Sequence, residues 1–356
     1  MLVGVYTSPH RYRSELAQGL AGLDQRYLLR LLNTVGKLKT NTRFVVFTHL
    51  ANHEAYAGWN RILVEAQGGG LATLRGKNLA LNQAIEKARA EVLFSPLDAA
   101  PVNAPVPQVL YALDFAPWEP APGKAGQGHG PNLRGVKRAC TNARAIVVSS
   151  EYLRKQSLAL FEAPLNKVMP ALPGVDAVFE VTQPRLIGPP YILLVNDPLT
   201  ADAIDGVLTA FRKRRSEFPN VFVILSQENR AAKRAWGPGV ICVEDCADAH
   251  LAGLYQHAAL FLYPGQHDGS ALRVLEALRA GAPVVAPGSG AIGELAGDAP
   301  IYYNPLSDAA LIQAVRRILN ESKDRRAKRI HLGQRHAAEY TWEKCAWRIL
   351  SAFKRS

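Results

Sequence analysis

The chain alternates short apolar runs with stretches of helical periodicity along nearly its whole length. LVGVYT opens it, a helical stretch covers residues 25–37, and RFVVFTH follows; EVLFS, QVLYALD and AIVVSS continue the series, each separated by loop or helix. This rhythm predicts a parallel sheet joined by crossover helices. A second series starts at YILLV and runs through FVILS, GVICV, LFLYP and PVVAP. Two such series of similar length predict two doubly wound α/β domains.

Punctuation sets the expected boundaries. Residues 181–190 hold three prolines, a glycine and little periodicity, the mark of a linker. The expected organisation is a first domain over 1–182, a second over 183–338, and a terminal helix near 339–356 that packs back on the first. Residues 99–130 are rich in Pro, Gly and Ala and read as long loops at strand ends, where open α/β sheets bind ligands. A helix is expected from Asp308 onward, capped by Ser307. Residues 324–356 read as basic and helical throughout.

Composition narrows the class. The 356 residues are 48% hydrophobic and 20% charged, which suits a globular protein with two cores. No apolar run approaches the ~18 residues that span a bilayer. The opening MLVGVYTSPHRYR has no basic segment leading into a long apolar stretch, so a cytoplasmic location is expected. Four cysteines, Cys140, Cys242, Cys246 and Cys345, suggest no disulfide framework. Cys242 and Cys246 lack a second ligand pair with metal spacing and read as buried thiols. The net charge of +12 attracts anions. No nucleic-acid motif or aromatic–basic pattern accompanies it, which argues against nucleic acid. Plain solvation, a phosphate-bearing acceptor or peripheral contact with an anionic membrane remain.

Chemistry concentrates in residues 263–287, YPGQHDGSALRVLEALRAGAPVVAP. A strand ends at a proline and a polar loop holds Asp268 and Gly269. Ser270 is placed to cap a helix starting at Ala271, and Gly281 to end it. Backbone N–H groups at such a helix start, at the carboxyl end of a strand, favour a phosphate. Glu276 lies ~40° from Leu272 and ~100° from Leu275 around the helix, so it borders the apolar stripe. A carboxylate there needs a partner: ribose hydroxyls, a cation or a backbone N–H.

These residues resemble the donor-site signature of retaining glycosyltransferases of family 4, which have the GT-B fold. The family carries an acid, seven residues, then Glu, matched by Asp268 and Glu276. LEALRAGAPVVAP, GAIGELAGDAPIYYNPLSDAAL, LPGVDAVFE, AIVVSSEYLRK, YILLVNDPL and YTWEKCAWRIL resemble further family segments in order, over most of the chain. The resemblance implies two Rossmann-like domains facing across a cleft, the acceptor on the first and a nucleotide-diphosphate sugar on the second. It implies transfer with retention and without a metal. Glu276 would hold the nucleotide ribose and Asp268 the donor sugar.

Departures fall on functional positions. The family's Glu is Asp268, and its Gly-Phe-Gly-Leu-Pro is Gly269-Ser270-Ala271-Leu272-Arg273, so a Cβ at Ala271 crowds backbone that should approach the ligand closely. Arg273 can offer a fork to a diphosphate or stand as a solvated residue. The usual Arg-Lys pair is Ala201-Asp202, the glycine after the strand is Asn196, and His-Asp is Leu113-Asp114. In the first helix Asp24 and Gln25 replace small residues, while Arg26 and Tyr27 are kept. The candidate catalytic residues are therefore Asp268 and Asp114. Donor candidates are Glu276, Gly269, Ser270, Ala271, Arg273, Asn196 and Arg212, with Lys213 beside it. Acceptor-side candidates are His10, Arg11, Arg13, Arg26 and His129, with Lys37, Lys39, Arg134, Lys137 and Arg138 as further cations; His267 is another loop histidine. Two functions follow: a glycosyltransferase of cell-surface polysaccharide assembly acting on a saccharide or lipid-linked acceptor, or a catalytically degenerate GT-B protein that binds or scaffolds an active enzyme.

Overall fold

The computed structural model describes residues 1–7, 15–49, 53–64, 72–101, 103–115, 118, 133–196, 201–214, 216–219, 221–226, 236–244, 247–265 and 269–355. The chain divides into two compact units, Met1–Leu172 with Trp342–Ser356, and Pro173–Thr341.

In the first unit seven parallel strands form one sheet: β1 (Leu2–Tyr6), β2 (Arg43–Thr48), β3 (Arg61–Leu63), β4 (Val92–Pro96), β5 (Gln108–Ala112), β6 (Ala145–Val148) and β7 (Val168–Pro170). Their spatial order is β3-β2-β1-β4-β5-β6-β7. Helices α1 (Glu15–Lys37), α2 (Ala72–Ala88), α3 (Leu133–Asn142) and α4 (Glu151–Phe161) join them. The strands are largely apolar because helices cover both faces. Val3, Val5, Phe94 and Tyr111 from the sheet pack with Tyr27, Leu28 and Leu31 of α1.

The second unit repeats the scheme with β8 (Tyr191–Asn196), α5 (Ala201–Arg212), β9 (Val221–Ser226), β10 (Val240–Glu244), α6 (Asp248–His257), β11 (Leu260–Leu262), α7 (Leu272–Ala280), β12 (Val284–Pro287), α8 (Gly290–Leu295), β13 (Ile301–Tyr303), α9 (Asp308–Leu319) and α10 (Lys323–Ala337). The strand order is β10-β9-β8-β11-β12-β13, all parallel. Ser307 caps α9 by accepting the N–H of Ala310 at 3.2 Å.

The boundary lies at Leu172/Pro173, before the proline-rich stretch rather than within it. Residues after Pro173 are tied to the second unit. Gln256 Nε2 donates to the Val181 carbonyl at 2.8 Å and Gln256 Oε1 accepts from the Gln183 N–H at 2.9 Å. Nor is the basic tail one helix. It breaks at residues 338–341, where the Val175 N–H donates to the Tyr340 carbonyl and the Tyr340 hydroxyl to that of Leu295, both at 2.9 Å. The chain then enters α11 (Trp342–Phe353), which belongs to the first unit. Trp342 lies 5.6 Å, centroid to centroid, from Tyr27, and Phe353 lies 5.5 Å from Phe94.

Cys140 and Cys345 are buried, and burial pushes both thiols up to about 12. Cys242, expected to be buried, is exposed, because β10 is the edge of its sheet. Cys246 lies outside the described residues. Among the described residues no helix is long and apolar enough to cross a membrane.

Candidate functional site

In the second sheet, chain order reverses between β8 and β11, which lie side by side. Doubly wound sheets bind ligands outside the carboxyl ends of their strands at this switch point, where the flanking loops diverge and leave a crevice. Asn196 ends β8 there and is 5% exposed. Tyr263 follows β11 and is 1% exposed. The chain then reaches Gly269, Ser270 and Ala271, all buried, and turns into α7.

The start of α7 differs from the sequence expectation. The cap is Ala271, in the left-handed region with φ +51°, and the helix begins at Leu272. Ser270 sits one position too early to cap; its hydroxyl accepts the Leu272 N–H at 3.4 Å. The first helical hydrogen bond runs from the Leu275 N–H to the Ala271 carbonyl at 2.9 Å. A non-glycine residue in this region costs about 1 kcal/mol or more. At the other end Gly281 closes the helix at φ +86°, as its position in the sequence predicted.

Glu276 is 2% exposed, one turn inside α7. Arg273 Nη1 donates to its Oε2 at 3.3 Å. Of the alternatives open from sequence, an ion pair is what the protein itself provides. The Arg273 side chain keeps 21% of its surface in solvent, while the carboxylate it pairs with is buried. A carboxylate and a guanidinium are thus arrayed behind a phosphate-favouring helix start. That set can receive a ribose hydroxyl pair and an adjacent phosphate.

Arg212 does not belong to this set. It ends α5, roughly 16 Å along the axis from the first turn. The strands and α5 run in opposite senses, so this places it at the amino ends of the strands, where it donates to the carbonyl of Trp236 ahead of β10. Lys213 follows it there. Asp268 lies outside the described residues, as do His10, Arg11, Arg13, His129 and His267.

In the first unit, Asp114 follows β5 at its carboxyl end and is half-buried. Arg26 precedes Tyr27, whose ring lies 5.9 Å from Tyr111 near the end of β5, so it stands at the same level of the sheet. Lys37, Lys39 and Arg134 are exposed; Lys137 pairs with Glu162 at 2.5 Å. Lys37 ends α1 at the opposite, amino end of the strands. Sequence reasoning passed over His49. It follows β2 directly, is 8% exposed, and its Nε2 lies 3.1 Å from the hydroxyl of Tyr6 at the end of β1. A histidine next to an apolar run, as in RFVVFTH, is the signal that marks it. Among the described residues no group of three or more His, Cys, Asp or Glu is placed to hold a metal.

Gly265 gives one test of the crevice wall. A Cβ there would come within 2.8 Å of the buried Tyr263 ring. Because that ring cannot swing into solvent, Gly265→Ala is expected to cost about 1–3 kcal/mol through overpacking, read as a lower urea midpoint. An unchanged midpoint would show that the ring yields freely.

Residues 189–321 match the family model described as Glycosyl transferases group 1. The matched residues lie within the second unit. The chain is 23% identical over 246 residues to O-antigen chain mannosyltransferase B of Escherichia coli, an alignment spanning 62% of this chain and 63% of that protein. The structure is similar to that of sucrose-phosphate synthase from Thermosynechococcus elongatus, with a TM-score of 0.75 at 15% identity over 99% and 98% of the two chains. It is equally similar, at TM-score 0.75 and 14% identity over 99% of each chain, to HepE of Anabaena, whose structure holds UDP and glucose. The two parallel sheets and these neighbours establish a two-domain, Rossmann-like GT-B fold.

Proposed function

We propose that the protein is a retaining glycosyltransferase that moves a sugar from a nucleotide-diphosphate donor to a saccharide or lipid-linked acceptor in cell-surface polysaccharide assembly. The observation that carries this reading is Glu276: a buried carboxylate one turn inside the helix that opens at the switch point of a glycosyl transferases group 1 domain. Glu276 takes the ribose hydroxyls. Arg273 turns from Glu276 toward the diphosphate, and the backbone N–H groups after Gly269 meet the same oxygens. These donors stabilise the charge that develops on the leaving diphosphate, so no metal is required. Asp268 orients the donor sugar, and Asp114 acts in the first unit, which takes the acceptor. The similarity to an O-antigen mannosyltransferase supports a polysaccharide product.

A second reading has its own observation. Ala271 and Arg273 stand where the resemblance calls for Gly and Pro, and Asp202 stands in the first turn of α5 where it calls for a cation. A protein that binds nucleotide without turnover, as partner of an active transferase, would tolerate these changes.

Incubation with the common nucleotide sugars separates the two. The first reading predicts release of one nucleoside diphosphate and, with acceptor, a product whose anomeric configuration by NMR matches the donor's. Nucleotide binding without release from any donor would favour the second. Inverted product would overturn retention.

A further inference from the structure

A cavity of about 680 Å³ opens at the amino ends of β1 and β2, at the opposite end of the first sheet from Tyr6, His49 and Asp114. Nothing in the proposed transfer reaction uses it. One wall is aromatic and aliphatic: Phe44 and Trp59 meet edge to face at 6.5 Å and 87°, with Val35 and Leu38 beside them, while Thr40, Thr42 and Asn60 add polar surface. The Trp59 ring lies against the backbone of Gly36, so closely that a Cβ would come within 3.1 Å of it.

The rim is cationic. Arg43 and Arg89 both line the cavity, both are exposed, and neither guanidinium has a hydrogen-bond or ion-pair partner among the described residues. Arg89 follows α2 directly with φ +55°, a conformation that glycine adopts without strain. Glu91 also lines the cavity, but its Oε1 accepts the Leu2 N–H at 2.7 Å and lies 3.7 Å from the terminal ammonium. The unpaired charge at the mouth is therefore positive.

A concave site of this volume, with one aromatic and aliphatic wall and two planar guanidiniums at its edge, suits a small molecule with an apolar body and an anionic head. We propose that this cavity binds a freely dissolved amphiphilic phosphate, its alkyl or aryl part against Trp59 and Phe44 and its phosphate on Arg43 and Arg89. The site is independent of the nucleotide crevice.

The test uses the full chain labelled with 5-fluorotryptophan, one of five tryptophans being Trp59. Its ¹⁹F resonance is assigned with Trp59→Phe. Octyl phosphate, below its micelle concentration, is expected to move the Trp59 resonance alone and saturably. Octanol and inorganic phosphate at the same concentrations are expected to leave it in place. An Arg43→Gln/Arg89→Gln variant, altered only at exposed positions, is expected to bind at least tenfold more weakly. A shift that does not saturate, that inorganic phosphate or octanol reproduces, that the double variant retains in full, or that spreads over all five resonances would overturn the proposal.

Discussion

Glu276→Ala is expected to abolish the stabilisation that a nucleoside diphosphate confers on the protein, while the unliganded fold stands. The carboxylate is 2% exposed, and a ribose would meet it in a site where water competes poorly. A hydrogen bond to a charged group contributes about 1.5–3 kcal/mol, so losing two such bonds weakens binding by at least ~10²-fold. At a ligand concentration of ~100 times the dissociation constant, the stabilisation of about 2.7 kcal/mol then falls to about 0.4 kcal/mol. Helix α7 survives the change because alanine is a good helix former and Arg273, partly exposed already, can extend into water. Heat unfolding with and without nucleotide reads both parts of the expectation. A variant that keeps the full shift would remove Glu276 from the site. One that unfolds without ligand would make its ion pair with Arg273 a structural need instead.

Trp342→Ala is expected to cost about 3–5 kcal/mol, the largest stability loss anticipated at a single position. Trp342 is 8% exposed in the core cluster that joins α1, α11 and the first sheet. Its ring meets Tyr27, which in turn stacks on Tyr111, and the Tyr27 hydroxyl lies 3.6 Å from Cys345 Sγ. Removing it opens a void that its packed neighbours cannot fill. Trp347, on the same helix but 53% exposed, is the internal control; its replacement should stay within about 0.5 kcal/mol. Urea unfolding of both variants makes the comparison. A loss below about 1 kcal/mol at Trp342 would mean that α11 contributes little to the first unit.

The parallel sheets were legible because buried strands must be apolar throughout, and VVFT, ILLV and VILS can be little else. The strands that periodicity missed, β3, β7 and β13, are three residues each and close the edges of their sheets, where a short run has one neighbour and leaves a weak pattern. The helix of the donor segment was placed to within one residue. Its cap was not, since nothing in Ser-Ala-Leu announces an alanine in the left-handed region. Arg212 is a candidate from sequence only as an available cation for the diphosphate, and helix polarity carries it to the other end of the sheet. The break at Tyr340 depends on contacts with Val175 and Leu295, far away in sequence, and no local signal encodes them. His49 was overlooked for the opposite reason: its signal was local, yet the family resemblance drew attention to other histidines.

The switch point of the second unit is proposed to hold a nucleoside diphosphate. Heating the protein with UDP, GDP, ADP and dTDP in turn and following the unfolding midpoint tests this most directly. One nucleotide should raise the midpoint in a dose-dependent way, with the midpoint rising as the logarithm of concentration above the dissociation constant. A midpoint that none of the four moves, at any concentration up to the millimolar range, would contradict the claim.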